Sequence, residues 1–273
     1  MMSNLTQRIL SAVVLIPFVV ALVFLSSIQI FVIVISAISA LGAFEFVSFC
    51  SPTEMKRGSF SAGIASALLT SGVSLYPIRP DLLTILLPMP ILFLFVSVMF
   101  LKKPVDVAVR FLSFSFFGVF YVGILMGCIG LIAASASDPT QGRYTVFLLL
   151  LATFLGDTGA YMAGRLFGKH KLSPSLSPKK TWEGALGGFI AVVCSVFTVR
   201  FFLLPSISPI VAVFLSFFLS ISCQIGDLAE SFVKRGVGVK DSGNLIPGHG
   251  GILDRIDALL FGAPVMYFFS LFF

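Results

Sequence analysis

Charge is what this sequence has least of. Only 11% of its 273 residues are Asp, Glu, Lys or Arg and 58% are hydrophobic, whereas an ordinary soluble domain carries about 25% charged residues. That balance excludes a soluble globular chain. Two His and four Cys, with no C-x-x-C spacing, leave little material for a zinc site or a disulfide framework. Cys50, Cys128, Cys194 and Cys223 lie at the end of or within apolar runs and read as small core residues. H-E-x-x-H and G-x-S-x-G are absent, which argues against a zinc protease or serine esterase. The run from Gly164 to Lys169 has three residues between its glycines where a phosphate-binding P-loop has four, and no Ser or Thr follows the lysine. Alternating segments of about ten residues, the mark of a membrane barrel, are missing too. No soluble basic domain exists for nucleic acid to bind.

What is present is long apolar sequence. Windows approaching the roughly 20 residues that span a bilayer as helix begin near Ile9, Ile28, Phe60, Leu82, Phe111, Tyr144, Gly184, Ile207 and Ile256. The expected fold is all-α, a polytopic integral membrane protein of about nine transmembrane helices, with the window at Phe60 the weakest. The first run, from Arg8 to Leu25, exceeds a signal-peptide core and reads as a retained anchor. Placing cations on alternate sides of nine spans puts Arg8, Lys56, Arg57, Lys102, Lys103, Arg110, Arg165, Lys169, Lys171, Lys179, Lys180, Lys234, Arg235, Lys240 and Arg255 on one side, leaving Arg79, Arg143 and Arg200 on the other. The positive-inside rule then makes the N-terminus cytoplasmic and the C-terminus external. The setting expected is the inner (cytoplasmic) membrane of a cell, with the chemistry facing the cytoplasm.

Two regions follow, an N-terminal membrane region of about five helices over 1–136 and a C-terminal catalytic membrane region of about four over 137–273. Two polar cytoplasmic connections, 164–183 and 229–255, punctuate the second, and their Pro and Gly content predicts loops or broken helices. The glycine pairs Gly123/Gly127 and Gly184/Gly188 have the small-xxx-small spacing of close helix approach, read here as intramolecular packing.

A carboxylate in a membrane span is costly and marks function by default. Glu45, Asp157 and Asp227 fall at cytoplasmic ends of spans, and Glu183, Asp254 and Asp257 where the next spans begin. For Glu45 and Glu183 a water-bathed interfacial position is the expectation. Asp227 and Glu230 are three residues apart, as are Asp254 and Asp257, so each pair shares a helix face. Hard oxygen ligands without a Cys/His cluster suit Mg²⁺ or a similar cation; the alternative is a set of salt bridges to Lys234, Arg235 and Arg255. Gly248, His249, Gly250 and Gly251 could form an anion-binding loop, and Lys179, Lys180, Arg235 and Lys240 are cations suited to phosphate.

At these residues the sequence resembles the phosphatidate cytidylyltransferases, also called CDP-diacylglycerol synthases. Ser231, Lys234, Arg235, Lys240, Asp241, Gly243, Ile246, Pro247, His249, Gly250, Gly251, Asp254, Arg255 and Asp257 fit the family's C-terminal signature, and Ser177 to Gly184 and Gly156-Asp157 are similar to further family segments. The strong likeness covers roughly 155–257. The resemblance implies transfer of CMP from CTP to phosphatidate, giving CDP-diacylglycerol and pyrophosphate, with Mg²⁺ required and a second cation left open. The expected catalytic residues are Asp227, Asp254, Lys240 and His249. Substrate contacts are expected from Lys179, Lys180, Lys234, Arg235, Asp241, Gly250, Gly251 and Arg255, and metal contacts from Asp227, Asp254, Asp257 and Asp157. The partners are CTP, phosphatidate and membrane lipids, with no nucleic acid and homo-oligomerisation left open. An ion-coupled multispanning transporter, its carboxylates lining an ion path, is the rival reading.

Overall fold

The fold follows from helices that satisfy their own backbone and therefore tolerate an apolar surround. The structure is a computed structural model that describes residues 4–51, 55, 58–100, 103–135, 138–243, 245 and 250–273. It comprises two compact units, one of Met1–Ser135 with Val237–Ile256, the other of Ala136–Gly236 with Asp257–Phe273. Segment 237–256 of the sequence thus groups with the N-terminal helices.

The first unit is built from α1 (Asn4–Leu25), α2 (Ile28–Cys50), α3 (Ser59–Leu75), α4 (Pro80–Leu86), α5 (Pro88–Met99) and α6 (Val105–Ser135). Helix α3 packs on both α2 and α6, which accommodates its Ser and Thr residues. Its hydroxyls face neighbouring helices: Ser66 Oγ lies 2.7 Å from Ser39 Oγ, and Thr70 donates to Ser39 Oγ at 2.7 Å and to the Gly123 carbonyl at 3.0 Å. The hydroxyls of Ser39, Ser66 and Thr70 thus satisfy one another across the helix contacts, as an apolar surround favours. A Cβ on Gly127 would come within 2.6 Å of Val73 Cβ, and one on Gly123 within 3.1 Å of Ser66 Oγ, so this glycine pair serves packing within the chain. The window at Leu82 is divided at Leu87-Pro88, where α4 stops and proline opens α5, because proline fits a first helical turn and not a helix interior.

The second unit contains α7 (Pro139–Phe167), the strands β1 (Lys171–Ser173) and β2 (Ser177–Thr181), α8 (Trp182–Phe202) and α9 (Pro209–Gly236), and receives most of α10 (Leu253–Ser270). Asp138 caps α7 by accepting from the Thr140 amide at 2.9 Å, a common N-cap contact. Helices α7 and α8 touch through glycines: a Cβ on Gly188 would meet the Gly156 carbonyl at 3.0 Å, and one on Gly184 the Ala160 carbonyl at 2.9 Å. Between them, where a loop or broken helix was expected, β1 and β2 form an antiparallel hairpin pairing Lys171 with Thr181 and Ser173 with Ser177. Thr181 ends the hairpin and caps α8, its Oγ1 accepting from Gly184 N at 3.1 Å.

All nine apolar windows are helical. Six of the described segments are long and apolar enough to cross a membrane: Ile28–Cys50, Pro80–Met99, Val105–Ser135, Pro139–Phe167, Trp182–Phe202 and Pro209–Gly236. Helix α3, at 17 residues, is shorter, and α10 carries Asp254, Arg255 and Asp257 in its first turns. Helix α9 continues past 229 to Gly236. Nothing in Ala229–Arg235 breaks a helix, and the Glu230–Lys234 pair at i, i+4 supports this last stretch. The chain then turns at Gly238, whose φ of 77° favours glycine.

Candidate active site

In the second unit, acidic residues of α9 and α10 come together. Helical spacing on α9 puts Asp227 and Glu230 on one face, and Asp257 of α10 lies beside both, in hydrogen-bonding contact with Glu230. The α9 to α10 approach is close because Gly226 has no side chain: a Cβ there would meet the Asp257 carbonyl at 2.6 Å. Ser222 Oγ adds a hydrogen bond to the Phe261 carbonyl at 2.7 Å. Asp157 on α7 is within electrostatic reach of Cys223 on α9, whose Sγ lies 3.7 Å from Thr153 Oγ1.

Two of these acids are deeply buried. Glu230 is 1% exposed and Asp257 9%. Two carboxyl groups in contact in such a place repel unless a proton or cation intervenes. Lys234 Nζ contacts Glu230 Oε2 at 2.7 Å, and Lys180 Nζ from β2 contacts Asp227 Oδ2 at 2.6 Å. Salt bridges are therefore real in this cluster, where Asp257 also lies against Asp227 and Glu230. Among the described residues no three His, Cys, Asp or Glu side chains are arranged to enclose a metal ion.

Of the other expected cations in this unit, Arg235 is exposed at the end of α9, its Nε 3.5 Å from the Leu176 carbonyl in the hairpin connection. Lys179 is exposed on β2. Glu183 binds its own loop, accepting from the amides of Lys169 at 3.1 Å and His170 at 3.3 Å and contacting His170 Nδ1 at 2.6 Å.

In the first unit, Asp254 accepts from the amides of Ser242 at 3.1 Å and Gly251 at 3.0 Å. Gly250 has a φ of 83°, a conformation that other residues rarely adopt, and brings the chain against Asp254. Lys240, Asp241 and Arg255 are exposed. His249 lies outside the described residues, as do Ile246 and Pro247 of the signature.

Glu45 is the residue that sequence reasoning placed wrongly. Expected in water, it is 3% exposed, its Oε2 accepting from Ser242 Oγ at 3.1 Å and from the Leu253 amide at 2.9 Å. The cost of burying an acid on an apolar helix was the available signal. Its partners lie some 200 positions on in sequence, beyond the reach of local pattern. Glu230 was paired with Asp227 on spacing, yet its burial against Asp257 has no local signal.

Comparison with known proteins bears on what these groups serve. The chain is 44% identical over 136 residues to a phosphatidate cytidylyltransferase of Mycobacterium leprae, covering 50% of this chain and 43% of that protein. It is 44% identical over 154 residues to one of Staphylococcus haemolyticus, covering 56% and 57%, and 43% identical over 153 residues to one of Brucella suis, covering 56% and 55%. The chain spans about half the length of these curated relatives. The family model reaches further, matching residues 6–273, so that both units lie inside it and the chain belongs to the cytidylyltransferase family.

Proposed function

We propose that this chain transfers CMP from CTP to phosphatidate, forming CDP-diacylglycerol and pyrophosphate. Family membership across 6–273 carries the proposal, and the acid-rich cluster of the second unit supports it. The rival transporter draws no support from that membership. A lipid substrate calls for apolar helices, and a nucleoside triphosphate calls for cations and a counter-ion for its phosphates.

The reaction is an in-line displacement. A phosphatidate phosphate oxygen attacks the α-phosphorus of CTP; the new P–O bond forms as the bond to the β-phosphate bridging oxygen breaks, and pyrophosphate leaves with that electron pair. The nucleophile needs no dedicated base, because a phosphate monoester with a second pKa near 6 is largely ionised at neutral pH. Lys180, Lys179 and Arg235 supply charge to the triphosphate. Lys180 leaves Asp227 when phosphate competes for its ammonium group.

Asp227, Glu230, Asp257 and Asp157 are the donors that suit Mg²⁺, since they are hard oxygens. Bound there, the ion would offset charge on the triphosphate and the leaving pyrophosphate. Asp254 has two backbone amides to serve and stands as a loop-holding group next to the metal role expected for it. The positive-inside distribution of Lys and Arg supports a cytoplasmic site in the cell's inner membrane.

Purified protein in detergent with CTP, phosphatidate and Mg²⁺ tests the proposal. CDP-diacylglycerol and pyrophosphate should appear in equal amounts and both should stop on adding EDTA. Folded protein that forms neither would refute it.

A further inference from the structure

We propose that Glu45 is a positioning residue, a clasp from α2 that holds the two ends of segment 242–253 together and so places the residues around it for the substrate. The proposal rests on the transferase assignment for its kinetic consequence alone; the clasp itself stands on geometry.

Three observations within the first unit converge on it. First, one carboxylate oxygen, Glu45 Oε2, takes hydrogen bonds from both ends of the segment, from Ser242 Oγ at 3.1 Å and from Leu253 N at 2.9 Å. Leu253 opens α10, and its amide is one of the donors that a helix start leaves without an intrahelical partner. An acid from another helix thus does the work usually done by a local cap. Second, Asp254 ties the same ends by different atoms, the amides of Ser242 and Gly251. Third, two glycines make room for Glu45. A Cβ on Gly243 would lie 2.6 Å from Glu45 Oε1 and 3.0 Å from its Cδ, and a Cβ on Gly251 would lie 2.5 Å from Glu45 Oε2.

Gly243 is the more telling of the two glycines. The three atoms that its Cβ would meet are Glu45 Oε1, Cδ and Cγ, whereas Gly251 is also hemmed in by Ser242 Oγ and Gly243 N. Glycine at 243 is therefore required by the carboxylate seated against it, with no positive φ to demand it. Glu45 Oε1 has no hydrogen-bond partner among the described residues, so an amide nitrogen can occupy its place. Glu45→Gln therefore keeps the acceptor that matters, and Glu45→Ala removes it. Lys240 and Asp241 precede the clasped segment and Arg255 follows it, so the substrate contacts assigned to them depend on where the segment is held.

Hydrogen exchange on the full chain in detergent, joined to steady-state kinetics, tests the clasp. Glu45→Ala should speed exchange of the Gly251 and Leu253 amides about tenfold, as expected for loss of one charge-assisted contact, and Glu45→Gln should restore most of the protection. Gly243→Ala should also speed exchange, yet add nothing in a Glu45→Ala background, because its clash is with Glu45. KM for CTP should rise about tenfold in Glu45→Ala, with KM for phosphatidate changing far less and Glu45→Gln recovering most of the loss. Exchange in Glu45→Ala equal to wild type, or additive effects of the two substitutions, would overturn the clasp. If Glu45→Ala does not fold, Ser242→Ala and Gly243→Ala decide: faster Leu253 exchange in either supports the clasp, and no change in both overturns it. Wild-type protein without turnover would sink the transferase assignment and leave the exchange comparison standing.

Discussion

Glu45 and Asp254 in the first unit, and Asp227, Glu230 and Asp257 in the second, are acids set in an oily chain, yet they differ in the groups set against them. The first two take hydrogen bonds from neutral donors, the amides of Ser242, Gly251 and Leu253 and the hydroxyl of Ser242. The other three meet lysines and one another. Neutral donors fix a carboxylate without calling for a further partner. Carboxyl groups crowded against one another in a buried place do call for a proton or a cation, and the divalent cation proposed above would fit that need. As proposed above, the acids of one chain thus divide between holding a segment in place and supplying charge for a reaction.

Substitutions can break that division. Asp227→Asn should cause the largest loss, about a thousandfold in turnover with folding intact, the scale of losing a transition-state electrostatic contact; product formation in a monodisperse sample measures it. Lys234→Met should act on stability, lowering it by about 3 kcal/mol by leaving Glu230 buried without its ammonium partner, while Glu230→Gln with Lys234→Met recovers much of the loss. Thermal unfolding in detergent reads both. Lys180→Met should lower turnover about a hundredfold, mainly by weakening the response to CTP. Gly127→Leu should sharpen the packing side, costing about 1–3 kcal/mol by overfilling the contact with Val73 and leaving KM for CTP near wild type.

Much of the fold was legible because a membrane makes hydrophobic length nearly sufficient evidence for a helix. All nine apolar windows became helices, and the packing glycines at 123, 127, 184 and 188 face neighbouring helices. The β1–β2 hairpin escaped notice because its strands are three and five residues long, too short for alternation to register. At the site, the spacing of Asp227 with Glu230 and of Asp254 with Asp257 placed each pair on a shared helix. Which acids would be served by backbone amides was not legible, since it depends on a chain reversal that brings α2 against Ser242 and Leu253. Glu45 shows the limit: residue type and membrane depth mark it as costly, but only tertiary structure shows its buried acceptor role.

The most direct test of the division is the Mg²⁺ activation curve of CDP-diacylglycerol formation, measured side by side in wild type, Asp227→Asn and Glu45→Ala. Asp227→Asn should need far more Mg²⁺ or show no activation, while the residual turnover of Glu45→Ala should be activated at wild-type Mg²⁺ concentrations. A wild-type Mg²⁺ response in Asp227→Asn, or a displaced one in Glu45→Ala alone, would contradict it.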